Sequence, residues 1–125
     1  MNAGRWMPVA LWAVVILTIT SVPDIPAPPT AGSDKLGHFT LYFVFGVLCS
    51  RAVSATRGSG REGRGATAVI GTIAAIALFA AVDEWHQRFI PRRSAEFNDW
   101  IADVCGAALG VALVALVRLR RSVAA

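Results

Sequence analysis

The composition of this 125-residue chain excludes an ordinary water-soluble domain. Hydrophobic residues make up 55% of the sequence and charged residues only 16%, with a mean hydropathy of +0.56, whereas a soluble helical domain needs a polar face on each helix. The net charge of +4 does not indicate nucleic-acid binding, because the arginines lie in linkers and in the tail and form no basic face interleaved with aromatic residues. The expected partner of most of the surface is the lipid bilayer.

Four long apolar segments predict four transmembrane helices. The segments 6–23, 36–50, 65–82 and 104–117 contain no Asp, Glu, Lys or Arg, and a helix needs about 20 mostly apolar residues to cross a bilayer core. The segments do not alternate as the strands of a membrane barrel do, so helices are favoured. The fold class is therefore all-α, a four-helix transmembrane bundle forming a single domain over 1–125. The expected helices are 5–22, 34–54, 66–89 and 98–119.

The connections between the segments are consistent with these bounds. Pro23 ends the first helix and opens a Pro-rich loop over 23–33, because proline disfavours helix continuation. No small-x-small cleavage site lies near 18–24, so the first helix is expected to be a retained signal anchor. Residues 55–65 form a Gly- and Arg-rich linker, and the third helix stops before Pro91.

The distribution of positive charge predicts the orientation in the membrane. Eight of the twelve Lys and Arg residues lie in the N-terminus, the central linker and the C-terminal tail, and cytoplasmic loops carry the excess of these residues. Both termini and the linker are therefore expected in the cytoplasm. Seven of the eight acidic residues then lie at or near the outer face, an asymmetry that the positive charges do not explain.

Polar side chains recur near the expected outer ends of the second, third and fourth helices. The pairs are three or four residues apart, which places each pair on one helix face: Asp34 with His38, Glu84 with Gln87, and Asp99 with Asp103. Ionisable groups at membrane depth are costly, usually pair, and mark function. Gly106 and Gly110 form a small-xxx-small pattern, which predicts close packing of the fourth helix on a neighbour. A polar cluster at the outer ends of helices two to four is expected.

Two segments, 34–39 and 83–106, resemble the VanZ-like family of small bacterial membrane proteins. The family pattern is an acidic pair and Gln, then Pro-Gly-Arg, then Asp, then Asn or Asp, then Gly. The matching residues are Asp34, Lys35, Leu36, Gly37, His38, Phe39, Asp83, Glu84, Gln87, Pro91, Arg93, Asp99, Asp103 and Gly106. The chain departs from the pattern at Arg92, where the family commonly has Gly, and at Asp103, where many members have Asn.

The resemblance implies a multi-pass protein of the bacterial cell membrane with a role in the cell envelope. The namesake of the family is associated with resistance to the glycopeptide antibiotic teicoplanin. The resemblance implies a context and names no reaction or cofactor.

One interpretation of the polar cluster is a binding site for an amphiphilic or anionic ligand at the outer leaflet. Arginine binds phosphate or carboxylate through two parallel hydrogen bonds, and Trp85 and Trp100 suit a membrane interface. A lipid-linked wall precursor or a lipoglycopeptide combines an anionic or polar head with an apolar tail. Arg93 is expected to be the main cation, paired with Asp99 or another nearby acid. The expected ligand-binding residues are Asp34, Lys35, His38, Asp83, Glu84, Gln87, Arg93, Asp99 and Asp103.

A second interpretation is a metal-dependent membrane hydrolase or transferase. The candidate metal ligands are His38, Glu84, Asp99 and Asp103, and the candidate catalytic residues are His38, Glu84 and Asp99. A histidine and a carboxylate can act as base and orienting group. The chain has no His-Glu-x-x-His motif, nucleophile elbow or phosphate-binding glycine loop, so the sequence favours binding over catalysis.

Two structural interpretations stay open beside these. In one, Lys35 and Arg93 neutralise the acids and fasten the helix ends together. In the other, the chain is a structural subunit of a larger membrane complex. A functional site requires that His38, Glu84 and Asp99 converge.

Overall fold

The computed structural model of the chain describes residues 3–23, 32–57 and 65–124, apart from the side chains at 33 and 57. These residues form four helices and no strand: α1 (Ala3–Thr20), α2 (Ser33–Arg57), α3 (Ala66–Gln87) and α4 (Phe97–Val123). Each helix is long and apolar enough to span a membrane. The all-α class and the four membrane-spanning helices are therefore confirmed, whereas the orientation and the single-domain boundary stay predictions.

The helix ends differ from the predicted ones by a few residues. The first helix ends at Thr20 and the third at Gln87, each two residues earlier than expected. The fourth continues to Val123, where Arg120 and Arg121 lie in its last turn and interact favourably with the negative end of the helix dipole. Most of the predicted Pro-rich loop (24–31) and of the linker (58–64) lies outside the described residues.

Helices α2 and α4 pack backbone against backbone along a row of glycines. A Cβ atom on Gly106 would collide with the carbonyl oxygen of Phe39, and one on Gly110 with that of Phe43. From the other side, a Cβ on Gly46 would collide with the carbonyl oxygen of Ala107. The predicted close packing of the fourth helix is confirmed, and it fixes the register of α2 against α4.

The remaining helices pack on this pair through aromatic and branched side chains. The Tyr42 and Phe45 rings meet edge to face with centroids 6.1 Å apart, and Ile16, Ile76 and Val111 are buried around them. Two further contacts join the helices by hydrogen bonds to carbonyl oxygens: Trp12 Nε1 donates to Leu41 at 2.9 Å and Trp100 Nε1 to Ala77 at 3.0 Å. Each indole thereby satisfies its N–H inside an apolar bundle.

The opposite faces of the helices carry large exposed apolar side chains. Met7, Leu11, Ile70 and Leu78 are each at least 60% exposed. Such a surface suits lipid and not water. Together with the length and hydropathy of the helices, this exposure explains how so small a chain accommodates so many apolar residues.

Candidate functional site

Polar side chains of all four helices meet at one end of the bundle. We call this region the polar end. It comprises Thr20, Lys35, His38, Asp83, Glu84, Gln87, Arg93, Glu96, Asp99 and Asp103. It lies where α1 and α3 end and where α2 and α4 begin. Most of these side chains are buried, so their hydrogen bonds decide what the region can do.

His38 and Asp103 form the innermost contact of the polar end. His38 Nδ1 lies 3.0 Å from Asp103 Oδ1, and the carboxylate of Asp103 is 0% exposed. The glycine packing explains this contact, because Gly106 sits on Phe39 and so brings the preceding turn of α4 level with His38. Asp103 Oδ2 has no hydrogen-bond partner among the described residues, which leaves one buried carboxylate oxygen unsatisfied.

Glu84 reaches the same place from α3. Its Oε2 accepts a hydrogen bond from the backbone N–H of Glu96 at 3.1 Å, and its Oε1 accepts one from Gln87 Nε2 at 3.3 Å. One ligand atom each of His38, Glu84 and Asp103 lies within 4.8 Å of the others. The polar end therefore brings an imidazole and two carboxylates from three helices together.

Lys35 neutralises the acids at the start of α4. Its Nζ lies 2.7 Å from Asp99 Oδ1 and 3.2 Å from Glu96 Oε2. The lysine side chain is 40% exposed while that of Asp99 is 6% exposed, so the ammonium reaches from the rim to a buried carboxylate. His38 also lies near Asp99, because Asp34, His38 and Asp99 form a second group whose ligand atoms lie within 4.8 Å.

Arg93 does not pair with an acid among the described residues, so the expected ion pair with Asp99 is wrong. Its Nε and Nη2 donate to the carbonyl oxygens of Val22 and Ile19, each at 3.1 Å, and its Nη1 donates to Gln87 Oε1 at 3.3 Å. The physical reason is that a helix end leaves carbonyl groups without partners, and the guanidinium fork supplies several donors at once. Arg93 therefore caps the end of α1, and Lys35 is the cation that contacts Asp99.

The residue before Arg93 adopts a backbone conformation that favours glycine. Arg92 has a φ of 64°, in the left-handed region that glycine adopts without steric cost. This is the position at which the chain has Arg in place of the Gly of the related pattern. Arg92 therefore adopts the conformation that glycine would favour there, and the next residue, Arg93, contacts α1.

Asp83 is buried by different neighbours from those of Glu84. One of its oxygens accepts a hydrogen bond from Thr20 Oγ1 at 2.8 Å, and the other accepts one from the Tyr42 hydroxyl at 3.2 Å. Asp83 thereby joins α1, α2 and α3 by neutral donors. His86, three residues further along, is exposed and lies 3.2 Å from Ser21 Oγ, outside the polar end.

The family model described as VanZ/LLP1 matches residues 5–118. The chain belongs to the VanZ/LLP1 family. The match covers every residue of the polar end and all but the last few residues of α4. Comparisons with curated proteins and with solved structures found no significant match. With its four membrane-length helices, this VanZ/LLP1 chain is a multi-pass membrane protein.

A groove opens beside the polar end of the VanZ/LLP1 bundle, between α3 and the start of α4. It has a volume of about 300 Å³ and is lined by Ala81, Glu84, Trp85, Arg88, Ala95, Glu96, Phe97 and Trp100. The aromatic rings are ordered in pairs: Phe97 stacks on Trp100 with centroids 5.4 Å apart, and Trp85 meets Phe89 edge to face at 5.2 Å. Glu84 belongs both to this groove and to the buried group with His38 and Asp103.

Tyr42, Glu96 and Thr20 make hydrogen bonds in or beside the polar end that the sequence did not predict. Tyr42 follows His38 by four positions and so shares its helix face, a signal that could have been used. Glu96 lies in the connection before α4 and contributes through its backbone N–H as well as its carboxylate. No sequence pattern predicts a role for Thr20, because the last turn of α1 contains no charged residue that would indicate a polar contact there.

Proposed function

We propose that this VanZ/LLP1 protein binds the polar head of an amphiphilic molecule in the groove between α3 and α4. The observation that carries the proposal is the lining of this groove, where Arg88, Glu84 and Glu96 stand beside Trp85, Phe97 and Trp100. A ligand with a charged or hydroxylated head and an apolar tail needs both kinds of surface at one place.

The chemistry of the lining suggests how such a head is held. Arg88 can bind a phosphate or carboxylate through its guanidinium fork. Glu96 can accept hydrogen bonds from hydroxyl or amide groups, and its carboxylate is held in place by Lys35 at 3.2 Å. The indole rings offer flat apolar surface to sugar rings or to the first carbons of an acyl chain.

The family context narrows the ligand class to envelope amphiphiles. The excess of Lys and Arg at both termini and in the linker supports a cytoplasmic location for these segments, and on that basis we propose that the polar end lies at the outer leaflet of a bacterial plasma membrane. Lipid-linked wall precursors and lipoglycopeptides are two classes of amphiphile that can reach a protein there. We therefore propose a part in glycopeptide resistance or in wall-precursor handling. The hydrolase, transferase and complex-subunit alternatives stay predictions.

Binding measurements on the purified protein test the proposal. In lipid nanodiscs we expect saturable binding of teicoplanin or of a polyprenyl pyrophosphate, and we expect Arg88→Ala to weaken it about tenfold, because a charge-assisted hydrogen bond contributes about 1.5–3 kcal/mol. The matched control is Arg121→Ala, an exposed arginine at the other end of the bundle, which should bind as the native chain does. The groove is contradicted as the site if Arg88→Ala and Arg121→Ala weaken binding equally. It is also contradicted if neither variant weakens binding.

A further inference from the structure

We propose that His38, Glu84 and Asp103 form a binding site for one divalent transition-metal ion, with Zn²⁺ as the ion that fits the donor set best. The three side chains come from α2, α3 and α4, and one ligand atom of each lies within 4.8 Å of the others. All three residues are buried. The site goes beyond the proposed binding of an amphiphile and does not depend on it.

The second, independent observation is the unpartnered oxygen of Asp103. The residue is 0% exposed, and its Oδ2 has no hydrogen-bond partner among the described residues. Buried polar atoms without a partner are rare in folded proteins, because burying them without compensation is costly. A cation coordinated by Oδ2 supplies the missing contact.

The balance of charge around the site points the same way. Lys35 is engaged by Asp99 and Glu96, and the Arg93 guanidinium is held by carbonyl oxygens of α1 and by Gln87. Neither of these two cations therefore contacts Glu84 or Asp103. A protonated His38 cancels one of the two carboxylate charges, whereas a divalent ion cancels both and also reaches Oδ2.

The donor set selects the kind of metal. One imidazole nitrogen with carboxylate oxygens is the donor mixture of zinc and related transition metals, while calcium and magnesium prefer oxygen alone. Three protein ligands also leave one position of a tetrahedral zinc ion open for water or another molecule. Zinc bonds of 2.0–2.2 Å place neighbouring ligand atoms roughly 3.4 Å apart. The ligand atoms of His38, Glu84 and Asp103, which all lie within 4.8 Å of one another, need only a modest approach to reach this spacing.

The overlapping group of Asp34, His38 and Asp99 is the weaker candidate. The ammonium of Lys35 lies 2.7 Å from Asp99, so a second cation there would meet direct repulsion. Asp34 is also exposed and has no need of a metal to satisfy its carboxylate. The ion is therefore assigned to His38, Glu84 and Asp103, and Asp99 is left out of the expected ligand set.

Zinc titration of the full chain tests the assignment. The protein, purified in detergent and stripped with a chelator, is titrated with Zn²⁺ by calorimetry and by competition with a chromophoric chelator. We expect one ion per chain and a loss of affinity of at least tenfold in each of His38→Gln, Glu84→Gln and Asp103→Asn. The matched control is His86→Gln, which alters the chain's other histidine and should leave zinc affinity unchanged.

Two further readouts keep the test decisive if a ligand variant fails to fold. Zinc that binds the native state raises the thermal midpoint of the unaltered chain by mass action, and Co²⁺ in its place gives visible absorption bands that report a coordinated site. The proposal is overturned if the folded, unaltered chain binds no Zn²⁺ or Co²⁺ at millimolar concentrations, or if His86→Gln loses as much affinity as His38→Gln. Because these measurements use no amphiphile, their failure is distinct from failure of the groove.

Discussion

Asp83 and Glu84 are adjacent buried acids of α3. They accept hydrogen bonds from different kinds of donor. Each oxygen of Asp83 accepts a hydrogen bond from a hydroxyl group of another helix, Thr20 or Tyr42. Glu84 accepts its hydrogen bonds from Gln87 and from the backbone N–H of Glu96, and it faces His38 and Asp103. Successive residues of a helix point about 100° apart, so one acidic pair serves two different surroundings.

The difference separates a fastening contact from a binding group. Asp83 joins three helices through hydroxyl donors and belongs to neither group of potential metal ligands among the described residues, so we assign it a fastening role. The group around Glu84 has two carboxylates, one imidazole and an oxygen without a partner. A sequence with two adjacent acids therefore holds one structural and one functional candidate, and substitutions can tell them apart.

The largest expected effect comes from disrupting the glycine packing of α2 on α4, which should disturb the surroundings of both Asp83 and Glu84. We expect Gly106→Ala to lower the free energy of unfolding in detergent by about 3 kcal/mol, as overpacking against an unyielding neighbour does. The physical reason is that the added Cβ collides with the Phe39 carbonyl oxygen and so separates His38 from Asp103. Zinc affinity should fall together with stability.

Gly71→Ala is the matched control for this change. A Cβ on Gly71 meets nothing within 4 Å, and alanine favours a helix over glycine by about 1 kcal/mol. This variant should be as stable as the native chain or more so. A Gly106→Ala protein that unfolds and binds zinc like the native chain contradicts the close approach of the two helices.

The second prediction distinguishes Asp83 from Glu84 by the effects of their substitution on stability and on zinc affinity. We expect Asp83→Ala to destabilise the bundle by about 2–3 kcal/mol, because it leaves the buried Tyr42 hydroxyl without its acceptor and removes the hydrogen bond from Thr20. Thr20 Oγ1 can still donate to the Ile16 carbonyl oxygen at 3.0 Å, and zinc affinity should be retained. Glu84→Gln should do the reverse, with a smaller loss of stability and a large loss of zinc affinity. Chemical denaturation and zinc titration of the same preparations measure both quantities.

A double-mutant cycle supplies the control for Asp83. The loss caused by Asp83→Ala should be smaller in a Tyr42→Phe background, because the hydroxyl that Asp83→Ala leaves without an acceptor is then absent. Equal effects of the Asp83 and Glu84 variants on zinc binding would show that the two acids belong to one site.

The sequence predicts the helices of this chain better than the partners of its polar side chains. Uncharged segments of membrane length identify the four helices, and the spacing of Gly106 and Gly110 identifies the packed face of α4, because both depend on local patterns. The three- and four-residue spacing predicted that His38, Glu84 and Asp99 converge. The structure instead groups His38 with Glu84 and Asp103 and, separately, with Asp34 and Asp99, because spacing along one helix defines a face and not the neighbour that this face meets.

Contacts with backbone atoms, or with a polar residue of an otherwise apolar segment, cannot be predicted in this way. Arg93 binds carbonyl oxygens at the end of α1, and every residue has a carbonyl oxygen, so no residue type marks this contact. Thr20 is an ordinary polar residue in an apolar segment, and its role depends on the depth at which α1 lies beside α3. Lys35 was included among the ligand residues, but only the arrangement of α2 against α4 shows that it, and not Arg93, contacts Asp99.

The smallest expected effect concerns Arg93, which lies between the two regions and contacts Gln87 beside Glu84. We expect Arg93→Ala to destabilise the bundle by about 1 kcal/mol, the net contribution of an ordinary hydrogen bond, since water can reach the carbonyl oxygens that it leaves. Arg93→Lys should recover little, because one ammonium group cannot reproduce the fork that spans Ile19, Val22 and Gln87.

A helix cap and an ion pair respond differently to a second change. If Arg93 caps α1, then Asp99→Asn should add its own cost to that of Arg93→Ala, and the two losses should sum. If Arg93 instead neutralises the acids, removing Asp99 as well should restore part of the stability. Thermal denaturation of the two single variants and the double variant in detergent decides between them. Additive losses would leave Lys35 as the cation of Asp99 and confine Arg93 to the end of α1.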